Sequence, residues 1–283
     1  MIDSKKTFGE PSTVELFPAQ ENSSCRYHVY LSTHPGKVRS HNEDNYIVNN
    51  VNRSKETPEK KLMGESIAEP LTCAVFDGMG GEANGELASA LCAEAAKQVY
   101  YDLKDGCDDI IAVINRFVTQ SNSAIVEMLE NTKSKRGGST FVMTVFRDGA
   151  VYPFSLGDSR IYLYRNGELM LITNDQTLAM KKYRANIFTW EEAQTSSDRH
   201  KLTSFLGVDV DNEGLEPQIY QPIALAPGDK LLLCSDGLYD MCDDLQIAQL
   251  MQTPSDQACL SLMNAALQNG GEDNVTCIIV EYV

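Results

Sequence analysis

The hydrophobic pattern along the chain changes period twice, and those changes separate strand-rich from helix-rich stretches. Tyr27 to Ser32 alternates apolar and polar positions, as a half-buried strand does. Tyr46 to Val48 reads as a short strand, and Leu71 to Phe76 as an apolar run buried on both faces. Leu87, Leu91, Ala95 and Val99 then recur every four residues, which predicts one apolar stripe of a helix. A second helix is predicted after Asp108-Asp109, with Ile110, Ile114, Phe117, Ile125 and Met128 on one face. Beyond Gly137-Gly138 the period falls to that of strands. Thr140–Arg147, Val151–Leu156, Arg160–Tyr164 and Glu168–Thr173 are short and rich in β-branched and aromatic residues. Asp148-Gly149 and Asn166-Gly167 stand between neighbours as two-residue hairpin turns, so the four runs read as an antiparallel meander. A strand over Lys230–Cys234, helices near Leu245–Met251 and Pro254–Leu267, and a last strand from Val275 close the series. Residues 1–24 read as a loose N-terminal segment, 49–70 as an exposed loop, and 174–203 as a mixed, partly helical flap. With no linker and no repeat, residues 25–283 are expected to form one α+β domain.

One of these strands ends in a way that needs a reason. Leu71 to Phe76 stops at Asp77, followed by Gly78-Met79-Gly80-Gly81 and a helical pattern. Asp-Gly makes turns readily, and taken alone that accounts for the pair. Gly78-x-Gly80-x-x-Ala83 also imitates a dinucleotide-binding fingerprint, but Asp77 would oppose a pyrophosphate, and no later strand supplies an acid for the ribose. The arrangement recurs: Leu231 to Ser235 runs into Asp236-Gly237, and Asp273-Asn274 precedes the apolar run from Val275. Acids at several strand ends, far apart in sequence, suit a single hard-cation site with oxygen ligands.

Composition narrows the partners. Asp and Glu number 40 against 24 Lys and Arg, a net charge of −16. Nucleic acid and anionic membrane both need a cationic surface, so neither is expected. No secretory leader pattern and no membrane-length apolar run is read in the chain. The eight cysteines have no paired spacing and the four histidines no ligand spacing, which points to a reduced, cytoplasmic setting without a structural zinc site.

Six segments then stand in a telling order: Arg39-Ser-His-Asn-Glu-Asp44, Phe76-Asp-Gly-Met-Gly-Gly81, Gly137-Gly-Ser-Thr140, Gly157-Asp-Ser-Arg160, Cys234-Ser-Asp-Gly237 and Gly271-Glu-Asp-Asn274. Together, from about Tyr27 onward, they resemble the metal-dependent PP2C (PPM) family of protein serine/threonine phosphatases, in its bacterial form. The resemblance implies a four-layer α-β-β-α sandwich, two central antiparallel sheets flanked by helices, with two Mn²⁺ or Mg²⁺ ions at one end. It implies that Asp77 bridges both ions, that Asp236 and Asp273 complete the first, and that the Gly78 carbonyl reaches the second. Glu43 and Asp44 would hold the ions' waters, Arg39 the phosphate, and Asp158 a third, weaker metal, with Asn274 supporting the site by hydrogen bonds. The substrates would be proteins phosphorylated on Ser or Thr by a cognate kinase, and the enzyme a monomer.

The residue types suit that chemistry. Two cations about 4 Å apart lower the pKa of a shared water and flank phosphorus for in-line attack. Carboxylates hold such ions, and a guanidinium takes two phosphate oxygens at once. Two departures touch the margins. Met79 stands where some members carry a His proton donor, so a water of the metal site is expected to protonate the leaving oxygen. Asp175-Gln176-Thr177 replaces the usual Asp-His-Ser, beside a flap that reads as short. Asp209-x-Asp211-x-Glu213 imitates the start of an EF-hand, but Tyr220 stands where a Glu is needed, so it reads as a loop. A catalytically silent binding module on the same fold, and a phosphohydrolase of small metabolites, are the competing readings.

Overall fold

A computed structural model describes residues 26–53, 60–81, 84–134, 136–208 and 215–283, with only the backbone described over 60–66. The chain opens with β1 (Arg26–His34), β2 (Asn45–Val48), β3 (Val51–Asn52), β4 (Lys60–Ala68), β5 (Leu71–Phe76) and β6 (Gly78–Met79). Helices α1 (Asn84–Lys104) and α2 (Ile110–Thr132) follow, then β7 (Gly138–Ser139), β8 (Phe141–Arg147), β9 (Ala150–Leu156), β10 (Arg160–Arg165) and β11 (Glu168–Leu171). The flap holds α3 (Leu178–Arg184), α4 (Trp190–Thr195) and a 3₁₀ turn, Ser197–His200. After β12 (Gln218–Ile219) and β13 (Ile223–Ala224) come β14 (Lys230–Cys234), α5 (Asp236–Tyr239), α6 (Asp244–Met251), α7 (Ser255–Gln268) and β15 (Val275–Tyr282).

Among the described residues these strands form two large antiparallel sheets, one ordered β11-β10-β14-β15-β1-β4, the other β12-β9-β8-β5-β2-β3 with β13 also on β9. Three apolar layers result. Tyr27, Leu31, Val75, Phe146, Leu233 and Ile278 fill the space between the sheets. Ile47, Phe76, Ile114, Phe117 and Phe141 pack α1 and α2 onto one outer face. Tyr162, Leu232, Ile247, Leu262 and Ile279 pack α6 and α7 onto the other. Each central strand therefore has two buried faces, which is why β5 and β14 are apolar without interruption. The four-layer α-β-β-α expectation holds. So do both hairpin turns, where Asp148, Gly149, Asn166 and Gly167 all take positive φ. No described helix is long and apolar enough to cross a membrane.

Three expectations are corrected. The stretch 49–70 is not simply an exposed loop: Lys60–Ala68 is an edge strand paired with β1, displaced in register between Val29 and Leu31. Its charged sequence is what an edge needs to resist pairing with another chain, and that charge hid the strand pattern. The meander is not one sheet, because β9 pairs with β8 while β10 pairs with β14 and β11. The chain changes sheets at Gly157-Asp158-Ser159. On α1 Val99 of the expected stripe is buried, but the rest of the buried face is the small-residue one, Ala88, Cys92, Ala93 and Ala96, with Leu87, Leu91 and Ala95 flanking it half-buried. Counting only large apolar residues rotates that stripe. The dinucleotide alternative also falls, since β5 lies among antiparallel neighbours. The segment 1–24 and the Asp209–Glu213 motif lie outside the described residues.

Candidate metal centre and phosphate site

The acids read from strand ends, Asp77, Asp236 and Asp273, converge at one end of the sandwich with Asp158, which only the family resemblance had implied. Asp77 follows β5, Asp158 lies at the sheet crossover, Asp236 opens α5 after β14, and Asp273 precedes β15. All four line a single cleft of about 470 Å³, together with Arg39 and Glu43.

Backbone packing fixes Asp77 and Asp236. The Asp77 carbonyl accepts from the Thr140 amide at 2.9 Å and the Ser139 hydroxyl at 3.1 Å. At Gly78 a Cβ would lie 2.2 Å from the Gly85 carbonyl oxygen and 2.5 Å from that of Glu43, so no side chain fits there. At Gly237 a Cβ would lie 2.0 Å from the Asn274 carbonyl oxygen. The glycine of each Asp-Gly pair thus permits close backbone approach rather than a turn alone.

Asn274 ties the 35–43 loop to the cleft. Its Oδ1 accepts from the Glu43 amide at 2.7 Å, and its Nδ2 donates to the carbonyls of Pro35 and His41, each at 2.8 Å. Arg39 projects from that loop and donates through Nη2 to Asp273 Oδ2 at 2.7 Å. Asp44 sits below the cleft rather than on its wall, 1 % exposed. Its Oδ2 accepts from the Ser235 hydroxyl at 2.7 Å, and Ser235 in turn accepts from the Thr276 amide at 3.0 Å. Ser235 is a supporting residue that strand-end reasoning passed over, although it stands beside Asp236.

The electrostatics are those of crowded acids. Burial, then the repulsion of Asp236, Asp44 and Asp158, holds the Asp77 carboxyl well above its ordinary range. Burial and Asp236 do the same to Asp158. Asp44 and Asp236 are each pushed up to about 7, chiefly by burial. Buried carboxylates that repel one another, with Asp44 Oδ1 buried and without a hydrogen-bonding partner among the described residues, form a donor set suited to hard divalent cations. The residues therefore fit Mn²⁺ or Mg²⁺.

The flap wall adds groups the sequence did not announce. Arg199 Nη2 lies 2.8 Å from Asp240 Oδ1, and His200 Nδ1 lies 3.6 Å from Asp240 Oδ2. His200, Asp236 and Asp240 bring one ligand atom each within 4.8 Å of the others. Nothing in their spacing, spread over the flap and α5, could have drawn them together. Asp175-Gln176-Thr177 proves structural in its contacts. Asp175 holds Arg160 through two hydrogen bonds of 3.0 and 2.7 Å, and Arg160 lies over the Tyr239 ring at 3.7 Å. Gln176 Oε1 accepts from the Gly157 amide, and Thr177 caps α3. The triplet thus braces the turn that carries Asp158.

Known proteins resemble this chain in sequence and in fold. The chain is 35 % identical over 212 residues to the serine/threonine protein phosphatase PstP of Mycobacterium tuberculosis, a match covering 74 % of this chain and 40 % of PstP. It therefore spans well under half of that relative. It is 28 % identical over 260 residues to the serine/threonine phosphatase stp of Listeria monocytogenes, covering 90 % of this chain and 95 % of that one. A solved structure of the PstP catalytic domain in complex with two manganese ions superposes with a TM-score of 0.73 at 31 % identity, covering 92 % of this chain and 99 % of that one. The protein phosphatase 2C family pattern matches residues 64–274, so that the chain belongs to the protein phosphatase 2C family.

Proposed function

We infer that this protein is a divalent-metal-dependent protein serine/threonine phosphatase, acting on phosphorylated proteins by direct attack of water on phosphorus. The observation that carries this is the meeting of Asp77, Asp158, Asp236 and Asp273 in one cleft beside Arg39. A silent binding module would have no need to hold four acids together against their own repulsion.

Asp77, Asp236, Asp273 and the Gly78 carbonyl would hold two Mn²⁺ or Mg²⁺ ions, with Asp158 available to a third. When bound, such ions supply an activated water and neutralise charge on the phosphoryl oxygens. Arg39 presents a planar fork of donors to the substrate phosphate, for which it exchanges its present contact with Asp273. Glu43 lines the cleft, where its carboxylate would hold waters of bound ions, while Asp44 secures Ser235 from below. Asn274 keeps the Arg39 loop in register with Asp273. Met79 lines the cleft but carries no proton to donate, so the leaving oxygen takes its proton from solvent held by the site. The protein acts as a monomer in the cytoplasm, reversing a Ser/Thr kinase.

Manganese-titrated hydrolysis of a phosphothreonine peptide tests this. Turnover is expected to appear with Mn²⁺ and to fall roughly a hundredfold or more in Asp77→Asn and in Asp236→Asn, since each removes charge that positions the reacting groups. Mn²⁺-independent turnover, or variants as active as the parent, would sink the reading. Preference for small metabolite phosphates over the peptide would replace the substrate class.

A further inference from the structure

The loop before Glu43 is held at both ends and exposed in its middle. Gly36 packs so closely that a Cβ there would lie 2.2 Å from the Asp273 carbonyl oxygen, and the Lys37 amide donates to the Gly271 carbonyl at 2.7 Å. Asn274 fixes the carbonyls of Pro35 and His41 and the amide of Glu43. Between those anchors Lys37, Val38, Arg39, Ser40 and His41 are all exposed, Val38 to 69 %. A pinned backbone that presents a run of exposed side chains has the form of a recognition surface rather than of a packing element.

Its charge is the reverse of the molecule's. In a chain of net charge −16, this short loop carries Lys37, Arg39 and His41. Arg39 is engaged by Asp273, whereas the Lys37 ammonium makes no ion pair or hydrogen bond with the described residues. The Lys37 stem lies along Gly271, with Cγ 3.3 Å from where a Cβ of that glycine would be, so its base is seated at the rim of the cleft. Glu43 and Glu272 line the cleft itself.

We propose that Lys37 is a specificity-determining residue, selecting phosphopeptides that carry negative charge, carboxylate or second phosphate, within one or two residues of the phosphoryl group bound by Arg39. This rests on the phosphatase reading above. An extended peptide advances roughly 3.3 Å per residue, so a neighbouring acid on a substrate whose phosphate meets Arg39 comes within reach of a lysine two residues away on the same loop. An exposed pair of this kind contributes modestly, and a second phosphate, with its larger charge, contributes more than a carboxylate.

The test compares kcat/KM of the Mn²⁺-loaded enzyme on four phosphothreonine peptides, with neutral, acidic, basic or second-phosphothreonine flanks. The acidic peptide is expected to exceed the neutral one by about two- to five-fold, mainly through KM, and the doubly phosphorylated one by more. Lys37→Ala brings those ratios close to one, Lys37→Glu turns the preference toward basic flanks, and Lys97→Ala, on α1 outside the cleft, keeps the parent ratios. About 0.5 M salt shrinks the preference, as screening requires. Equal ratios in the parent, or a preference untouched by Lys37→Glu, overturn the role of Lys37 and leave the phosphatase reading intact. No turnover on any peptide overturns both.

Discussion

Asp77, Asp236 and Asp273 stand next to strands whose hydrogen bonds hold them, whereas Arg199, His200 and Lys201 reach their partners from a short 3₁₀ turn and its edge. Behind the acids, Ser235 and Asn274 stitch carbonyls and amides of separate segments together. At the outer edge of the flap, away from Asp175 and Gln176, the ties are side-chain contacts nearer the solvent: Lys182 and Lys201 to Asp198, Arg199 to Asp240, and His200 3.6 Å from Asp240. The first set cannot shift without breaking buried hydrogen bonds, and the second can open at little cost. The acids assigned to the metal site thus sit on the more tightly tied part, and the outer edge of the flap on the more weakly tied one.

The strongest way to break this contrast is Gly237→Ala. Its Cβ would meet the Asn274 carbonyl at 2.0 Å, so α5 and the loop behind Asp273 must separate. Urea unfolding should show a loss of about 3 kcal/mol, with Mn²⁺-dependent turnover lost as well. The next effect comes from the acids themselves. In metal-free protein, Asp44 and Asp236 have carboxyls raised from 3.8 to about 7, so the folded state binds the extra protons. Their contribution is fully present below about pH 4 and is lost as pH rises through about 7. Thermal melts of the metal-free protein should therefore show Tm lower by several degrees at pH 8 than at pH 5, and saturating Mn²⁺ should reverse that order. Smaller again is Arg39→Ala, which is expected to raise KM about tenfold with kcat less affected, as loss of a charged phosphate contact does. Least disruptive is Arg199→Ala on the flap. It should cost under about 1 kcal/mol in urea unfolding, and a much larger loss would mean the flap is as rigid as the floor.

Much of the floor was legible in the sequence because its signals are local. An apolar run that stops at Asp-Gly marks both the strand and the acid at its end, and Asn-Gly or Asp-Gly between β-rich runs marks a hairpin. The buried face of α2 was legible for the same reason, since Ile110, Ile114, Phe117, Ile125 and Met128 are all buried. What stayed hidden depends on partners distant in sequence. The strand Lys60–Ala68 has edge chemistry, so its sequence shows charge where a central strand would show alternation. The sheet change at Gly157-Asp158 involves which neighbour β10 chooses, and no feature of β10 alone states that choice. The pairing of Arg199 and His200 with Asp240 joins two surface segments through side chains long enough to meet many alternatives.

The change of sheet has a consequence for how the molecule comes into being. Asp77 belongs to one sheet and Asp236 and Asp273 to the other, with Asp158 on the crossing between them. A nascent chain halted before Lys230 would possess only Asp77 and Asp158, and its first sheet would still lack the two strands, β14 and β15, at its centre. A cation therefore cannot template early folding here; the architecture must close first, through contacts of long sequence separation that form slowly. A fragment that ends before β14 therefore lacks two of the four acids that line the cleft.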